Sequence, residues 1–144
     1  MLRYLLLLTI VFQLSACGSA DSPEAQVRKT VDAMEAAAED RDAGDVMAFV
    51  ADDFRDAYGQ GPDELNRYLY GYFIANQSLH LLTRIDQIEF PASDEARLKV
   101  TVGAVSREAD AAKSWNLAAE VHVFEVTMRR QDDDWKVTYV KRRN

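Results

Sequence analysis

The chain has 144 residues with 17 basic and 24 acidic side chains, a formal charge of −7. That surface repels phosphate backbones and anionic lipid headgroups, which sets nucleic acid aside as a partner. A single cysteine excludes an intrachain disulfide, and the length suits one domain with its own core.

Met1-Leu2-Arg3 opens the chain with a short basic start. Tyr4 to Leu14 follows as a mostly aliphatic run, and Ser15-Ala16 are small residues directly before Cys17. This is the layout of a secretory signal peptide over residues 1–16. A membrane-spanning helix needs roughly 20 apolar residues, about twice this run. Leu14-Ser15-Ala16-Cys17 resembles the lipobox of bacterial lipoproteins. That resemblance implies cleavage before Cys17 and acylation of its sulfur and new amino group, leaving no thiol for catalysis or metal binding. It also implies the outer membrane, facing the periplasm, because Gly18 rather than an aspartate follows the cysteine. Two or more acyl chains anchor a protein durably, at about 0.8 kcal/mol per buried methylene. Residues 17–22 form the lipidated cysteine and a tether; Gly18 to Ser22 reaches at most about 17 Å when extended.

The domain itself is expected over residues 23–144. Ser22-Pro23-Glu24 reads as a helix start, with Ser22 as N-cap, Pro23 where its missing N–H costs nothing, and Glu24 facing the positive end of the dipole. Val27, Val31, Met34 and Ala38 share one stripe at helical spacing, and the helix is expected to stop near Gly44. A short second helix over Asp45 to Val50 and a loop "ADDFRDAYGQG" come next. Gly61-Pro62-Asp63-Glu64 opens a third helix, in which Leu65, Tyr68, Leu69, Tyr72 and Phe73 make an inward face.

From Ser78 the period becomes two. Leu79, Leu81, Thr83 and Ile85 alternate with polar or outward residues, and Ile88 and Phe90 take the opposite phase, as a β-bulge produces. After a turn at Pro91 to Asp94, the row Ala96, Leu98, Val100, Val102 and Ala104 points inward. A polar loop around Asp110 to Ser114 with Trp115 precedes a long strand, where Val121 and Val123 give way to Phe124, Val126 and Met128 in a second expected phase slip. Asp132-Asp133-Asp134 turns the chain into a last strand carrying Trp135, Val137 and Tyr139. Three helices followed by about four strands make an α+β domain whose antiparallel sheet is covered on one face.

The order helix, short helix, "ADDF", the Asp-x-x-Gly loop Asp56-Ala57-Tyr58-Gly59, helix and bulged sheet ending in "DDDWKV" resembles the nuclear transport factor 2-like superfamily, with its ketosteroid isomerase-like and SnoaL-like enzymes. The resemblance implies a curved sheet wrapped around the long helix as a cone, with a pocket at the wide end. It implies Asp56 as a proton-transferring base, since a carboxylate at the mouth of an apolar pocket has its pKa raised toward a useful range. The isomerases' oxyanion tyrosine on the first helix is missing here: Ser22 to Ala43 contains no tyrosine. As a turn residue bonding its own backbone, Asp56 has an ordinary reading too.

Tyr58, Tyr68 and Tyr72 are the candidate ligand-binding residues of that pocket. His80 and His122 fall out of phase with their apolar neighbours and are expected to be exposed or singly hydrogen-bonded. Glu120 beside His122 reads as an acid–base pair or as a salt bridge. No metal and no cofactor is expected. The function expected is a lipid-anchored, non-catalytic domain that binds a small, partly apolar molecule or a protein. The partners are then the membrane through Cys17, that ligand, and a second copy or an envelope protein. An isomerase, dehydratase or cyclase using Asp56 is the alternative.

Overall fold

The computed structural model describes residues 21–108 and 117–143. The signal peptide, Cys17 and the segment with Trp115 lie outside them. Helices α1 (Pro23–Glu39), α2 (Ala43–Met47) and α3 (Pro62–Ala75) combine with strands β1 (Val50–Asp56), β2 (Asn76–Ala92), β3 (Glu95–Glu108), β4 (Leu117–Gln131) and β5 (Asp134–Arg143). The strands form one sheet in the order β1-β5-β4-β3-β2. All neighbours run antiparallel except β1, which lies parallel to β5. Among the described residues no helix is long and apolar enough to cross a membrane.

The start of α1 is as its sequence dictates: the Ser22 hydroxyl accepts from the Ala25 N–H at 3.2 Å, with Pro23 in the first turn. Its end comes earlier than Gly44. Asp40 caps the helix and Arg41 takes a left-handed φ of 57°, from which its guanidinium reaches the Asn76 carbonyl at 2.9 Å. That reach ties the helix end to the start of β2. Glu64 opens α3 by accepting the Gly61 N–H at 2.9 Å.

Two expectations about strands change. The stretch after α2 is not a loop but β1, an edge strand whose Ala51 and Phe54 are buried. Its pairing with β5 shifts register between Val50 and Arg55, which breaks the alternation that marks a strand in sequence. The sheet therefore has five strands rather than four. The second phase slip is also absent. β3 and β4 pair without a shift from Glu95↔Arg129 to Arg107↔Leu117, so Phe124, Val126 and Met128 lie inward while Val121 and Val123 lie outward. Valine at an outward position mimics an inward one in sequence. The bulge after Ile85 is where the sequence puts it, and another separates Thr127 from Met128 in the pairing with β5.

These irregularities curve the sheet around α1. Val27, fully buried, packs against Ala96, Leu98, Val100, Met128, Trp135 and Val137, with Val31 and Met34 at the margin. A second cluster of Ala43, Val46, Phe73 and Leu79 seats α2 and α3 at the other end. Glu35 and Glu39 accept the outward N–H groups of Thr83 (2.8 Å) and Leu81 (2.7 Å), so α1 closes the exposed edge of β2 with carboxylates. At the last turn, Asp132 and Asp133 both adopt positive φ, 49° and 67°, as a two-residue hairpin loop requires.

Candidate functional site

Residues paired directly across antiparallel strands share a face, so the register identifies what lines the concave side. Ala104, Val102 and Val100 stand opposite Glu120, His122 and Phe124, and Phe124 in turn stands opposite Arg142. His122 therefore shares the inward row of β4, out of phase with Val121 and Val123 and hydrogen-bonded to Glu120, as the sequence leads one to expect. His80 pairs with Val105 on the convex side and is exposed. The run "EVHVFEV" does not show which face is inward, because apolar residues occupy both phases at once.

Toward this end of the concave face α3 presents two tyrosines. Their rings stack at 6.0 Å with an interplanar angle of 23°. Tyr72 also meets Phe73 edge-on at 6.2 Å, which fixes the pair to the second core cluster. The Tyr68 phenol is pushed above its ordinary value, chiefly by desolvation and then by Tyr72 and Glu120, with Arg142 opposing. Two things follow: Tyr68 stays a hydrogen-bond donor across the physiological range, and it lies within electrostatic reach of both Glu120 and Arg142.

His122 and Glu120 form a pair, Nε2 to Oε2 2.9 Å, with the imidazole a third exposed and the carboxylate more open. Phe124 meets the imidazole edge-on at 6.2 Å and restrains its ring plane. An imidazole held between a carboxylate and an aromatic ring can accept or deliver a proton at its other nitrogen. Tyr68, Tyr72, Glu120, His122 and Arg142 thus gather an aromatic surface, a base, an acid and a cation around one end of the cone. Glu120 and His122 carried a sequence signal, their spacing of two. Arg142 carried none, since it sits in the run Lys141-Arg142-Arg143 that reads as a solvated tail.

Asp56 sits elsewhere in the hydrogen-bond network. Its Oδ1 accepts the N–H groups of Tyr58 and Gln60, both at 2.8 Å, and its own N–H donates to the Gln60 carbonyl. Gly59 turns this loop with a φ of 81°. The carboxylate is engaged in closing its own turn. Tyr58, 86% exposed, points away from the fold rather than into the cone. Among the described residues, no hydrogen bond or ring contact joins Asp56 or Tyr58 to Tyr68 or Tyr72. Of the three pocket candidates and the candidate base Asp56, the structure brings together Tyr68 and Tyr72. No cluster of three or more histidine, cysteine or acidic side chains among the described residues is placed to hold a metal ion.

Glu64 at the start of α3 is held below its ordinary value of 4.5, first by the Gly61 N–H. A depressed carboxylate stabilises the fold above its unfolded-state pKa and loses that contribution as pH falls through the folded value. Glu64→Gln is therefore expected to lower the melting temperature at neutral pH and to flatten its decline below about pH 4.5; parallel melting curves from pH 3 to 7 for both proteins would contradict this.

Neither a family profile nor a curated protein sequence matches the chain. Solved structures do. A proposed scytalone dehydratase from Novosphingobium aromaticivorans superposes with a TM-score of 0.73 at 17% identity, covering 82% of this chain and 80% of its own. A proposed dehydratase of the nuclear transport factor 2-like family from Streptomyces avermitilis gives 0.71 at 17%, covering 85% and 97%. A type 2 hexachlorocyclohexane dehydrochlorinase, LinA, gives 0.69 at 13%, covering 83% of each. At these identities the likeness concerns the backbone. With three helices seated in a bulged, curved five-stranded sheet, this chain has the nuclear transport factor 2-like fold.

Proposed function

We propose that this protein is a lipid-anchored envelope domain whose cone binds a small molecule with a flat, partly apolar body and one polar or anionic group. The observation that carries this reading is the stacked Tyr68–Tyr72 pair, with Glu120 and Arg142 on the concave face and their charges felt at the Tyr68 phenol. Stacked phenols offer an apolar, polarisable wall, and Arg142 supplies the cation that an anionic or carbonyl group needs. Native mass spectrometry of the full chain, purified in mild detergent, tests it. A reproducible bound mass beyond the acyl chains, lost in Tyr68→Ala, is expected; an empty protein at dimer mass would transfer the argument to protein partners.

The envelope half of the reading is supported by Leu14 to Cys17 and by the apolar run before it. Cys17→Ala is expected to abolish incorporation of labelled palmitate and leave an uncleaved precursor. Processed, soluble protein from that variant would sink it.

A second reading is favoured by the 2.9 Å contact of His122 with Glu120. It makes the domain a proton-transfer enzyme of the isomerase, dehydratase or cyclase kind, with His122 rather than the turn-bound Asp56 as base. The probe is 5-nitrobenzisoxazole, which needs only a base: the ring C–H proton goes to the imidazole, the N–O bond breaks, and its electron pair stays on the phenolate oxygen as the nitrile forms. Catalysis predicts ring opening that falls about 100-fold in His122→Ala and far less in Asp56→Asn. Equal rates in all three proteins would leave the binding reading alone.

A further inference from the structure

The convex face of the sheet is divided into an apolar end and a cationic margin. Leu82, Gly103 and Val121 stand in one row across β2, β3 and β4, with Val105 in the next. Leu82 is 76% exposed, Val121 71% and Val105 40%. Gly103 adds no side chain between them, so the aliphatic groups lie on a flat strip. Around the strip stand Arg107 on one side and, on the other, Arg84, Arg143, Lys99 and Lys141. Asp86 neutralises Arg84 at 2.7 Å, and Glu125 engages Arg143 at 3.3 Å. Arg107, Lys99 and Lys141 take part in no ion pair among the described residues. A separate shallow groove of about 230 Å³ is lined by Lys99, Arg97, Tyr139 and Arg143, with Glu89 and Glu125 also at its wall.

We propose that this face docks on an anionic phospholipid surface, the aliphatic strip entering the interface and Arg107, Lys99 and Lys141 meeting lipid phosphates. The occupant follows from charge. The strip's surroundings are net positive although the chain as a whole carries −7, so this face, unlike the rest of the surface, is the local complement of an anionic bilayer. A twofold pair would present the same cations to each other across one self-complementary patch. Exposed aliphatic groups flanked by lysine and arginine are what interfacial anchoring requires, and the long cationic stems can reach phosphates while their methylenes cover apolar surface. The surface works whether or not Cys17 is acylated, so its failure leaves the lipid-anchor reading untouched.

The test is lysine footprinting of the full chain in nanodiscs, with acetylation at each site read by mass spectrometry and Lys29 on α1 as the internal reference. Adding phosphatidylglycerol to phosphatidylcholine discs is expected to slow acetylation of Lys99 and Lys141 about fivefold relative to Lys29, an effect that high salt removes. Leu82→Asp and Val121→Asp, at exposed positions that leave the core intact, are expected to abolish the protection. Equal labelling in both lipid compositions overturns the proposal. So does protection in both that grows with protein concentration, which would show a second copy on the face. Protection by soluble glycerol phosphate without a bilayer overturns it as well, in favour of a small-anion site.

Discussion

Trp135→Ala is expected to destabilise the fold by about 4 kcal/mol, the upper part of the range for a buried aromatic truncated to alanine. Trp135 is 3% exposed and sits in the cluster through which α1, β3 and β4 meet. Its indole N–H donates to the Gln26 side chain at 3.2 Å, and its ring meets Phe90 edge-on at 6.0 Å. Three losses therefore coincide: the transfer free energy of the ring, the cavity left under α1, and the N–H bond that holds the first helix to the last strand. Trp135→Phe keeps most of the packing and is expected to cost roughly half as much. Urea melts of the two variants measure the difference. A loss below about 1 kcal/mol for the alanine variant would mean that α1 does not close the sheet as described.

The second large effect concerns the cone. 1-Anilinonaphthalene-8-sulfonate has the flat apolar body and single anionic group that the proposed site selects. Arg142→Ala and Tyr68→Ala are each expected to weaken its binding about tenfold, equivalent to about 1.4 kcal/mol. Both residues are largely exposed, so neither substitution should move the melting temperature by more than about 2 °C. Charge and stacking separate in the pair: loss at Arg142 should shrink at high salt, whereas loss at Tyr68 should persist. Fluorescence titrations at two salt concentrations distinguish these patterns. Equal affinities in all three proteins would place the dye elsewhere.

Where the sequence is periodic, it describes the fold. Ser22-Pro23 and Gly61-Pro62 mark two helix starts because capping and the missing proline N–H act locally. The phase change after Ile85 marks a real bulge because one face of β2 is buried. β1 escaped because its burial rests on Ala51 and Phe54, three residues apart across a register shift, and no local pattern records a pairing with the last strand of the chain. The site was legible only in part. The tyrosines of α3 announce themselves by helical spacing, while the face on which His122 lies was hidden by valines on the opposite face and Arg142 by neighbouring cations. Asp56 is marked by a short motif, and one of its two carboxylate oxygens accepts the N–H groups of its own turn.

The most direct test of the cone as the ligand site is a side-chain and backbone NMR titration of the protein with 1-anilinonaphthalene-8-sulfonate. Saturable shifts at Tyr68, Tyr72, His122 and Arg142, with Leu82, Lys99 and Val121 unmoved, are the result predicted. Shifts confined to the convex strands, with the His122 ring signals unchanged, would contradict the account.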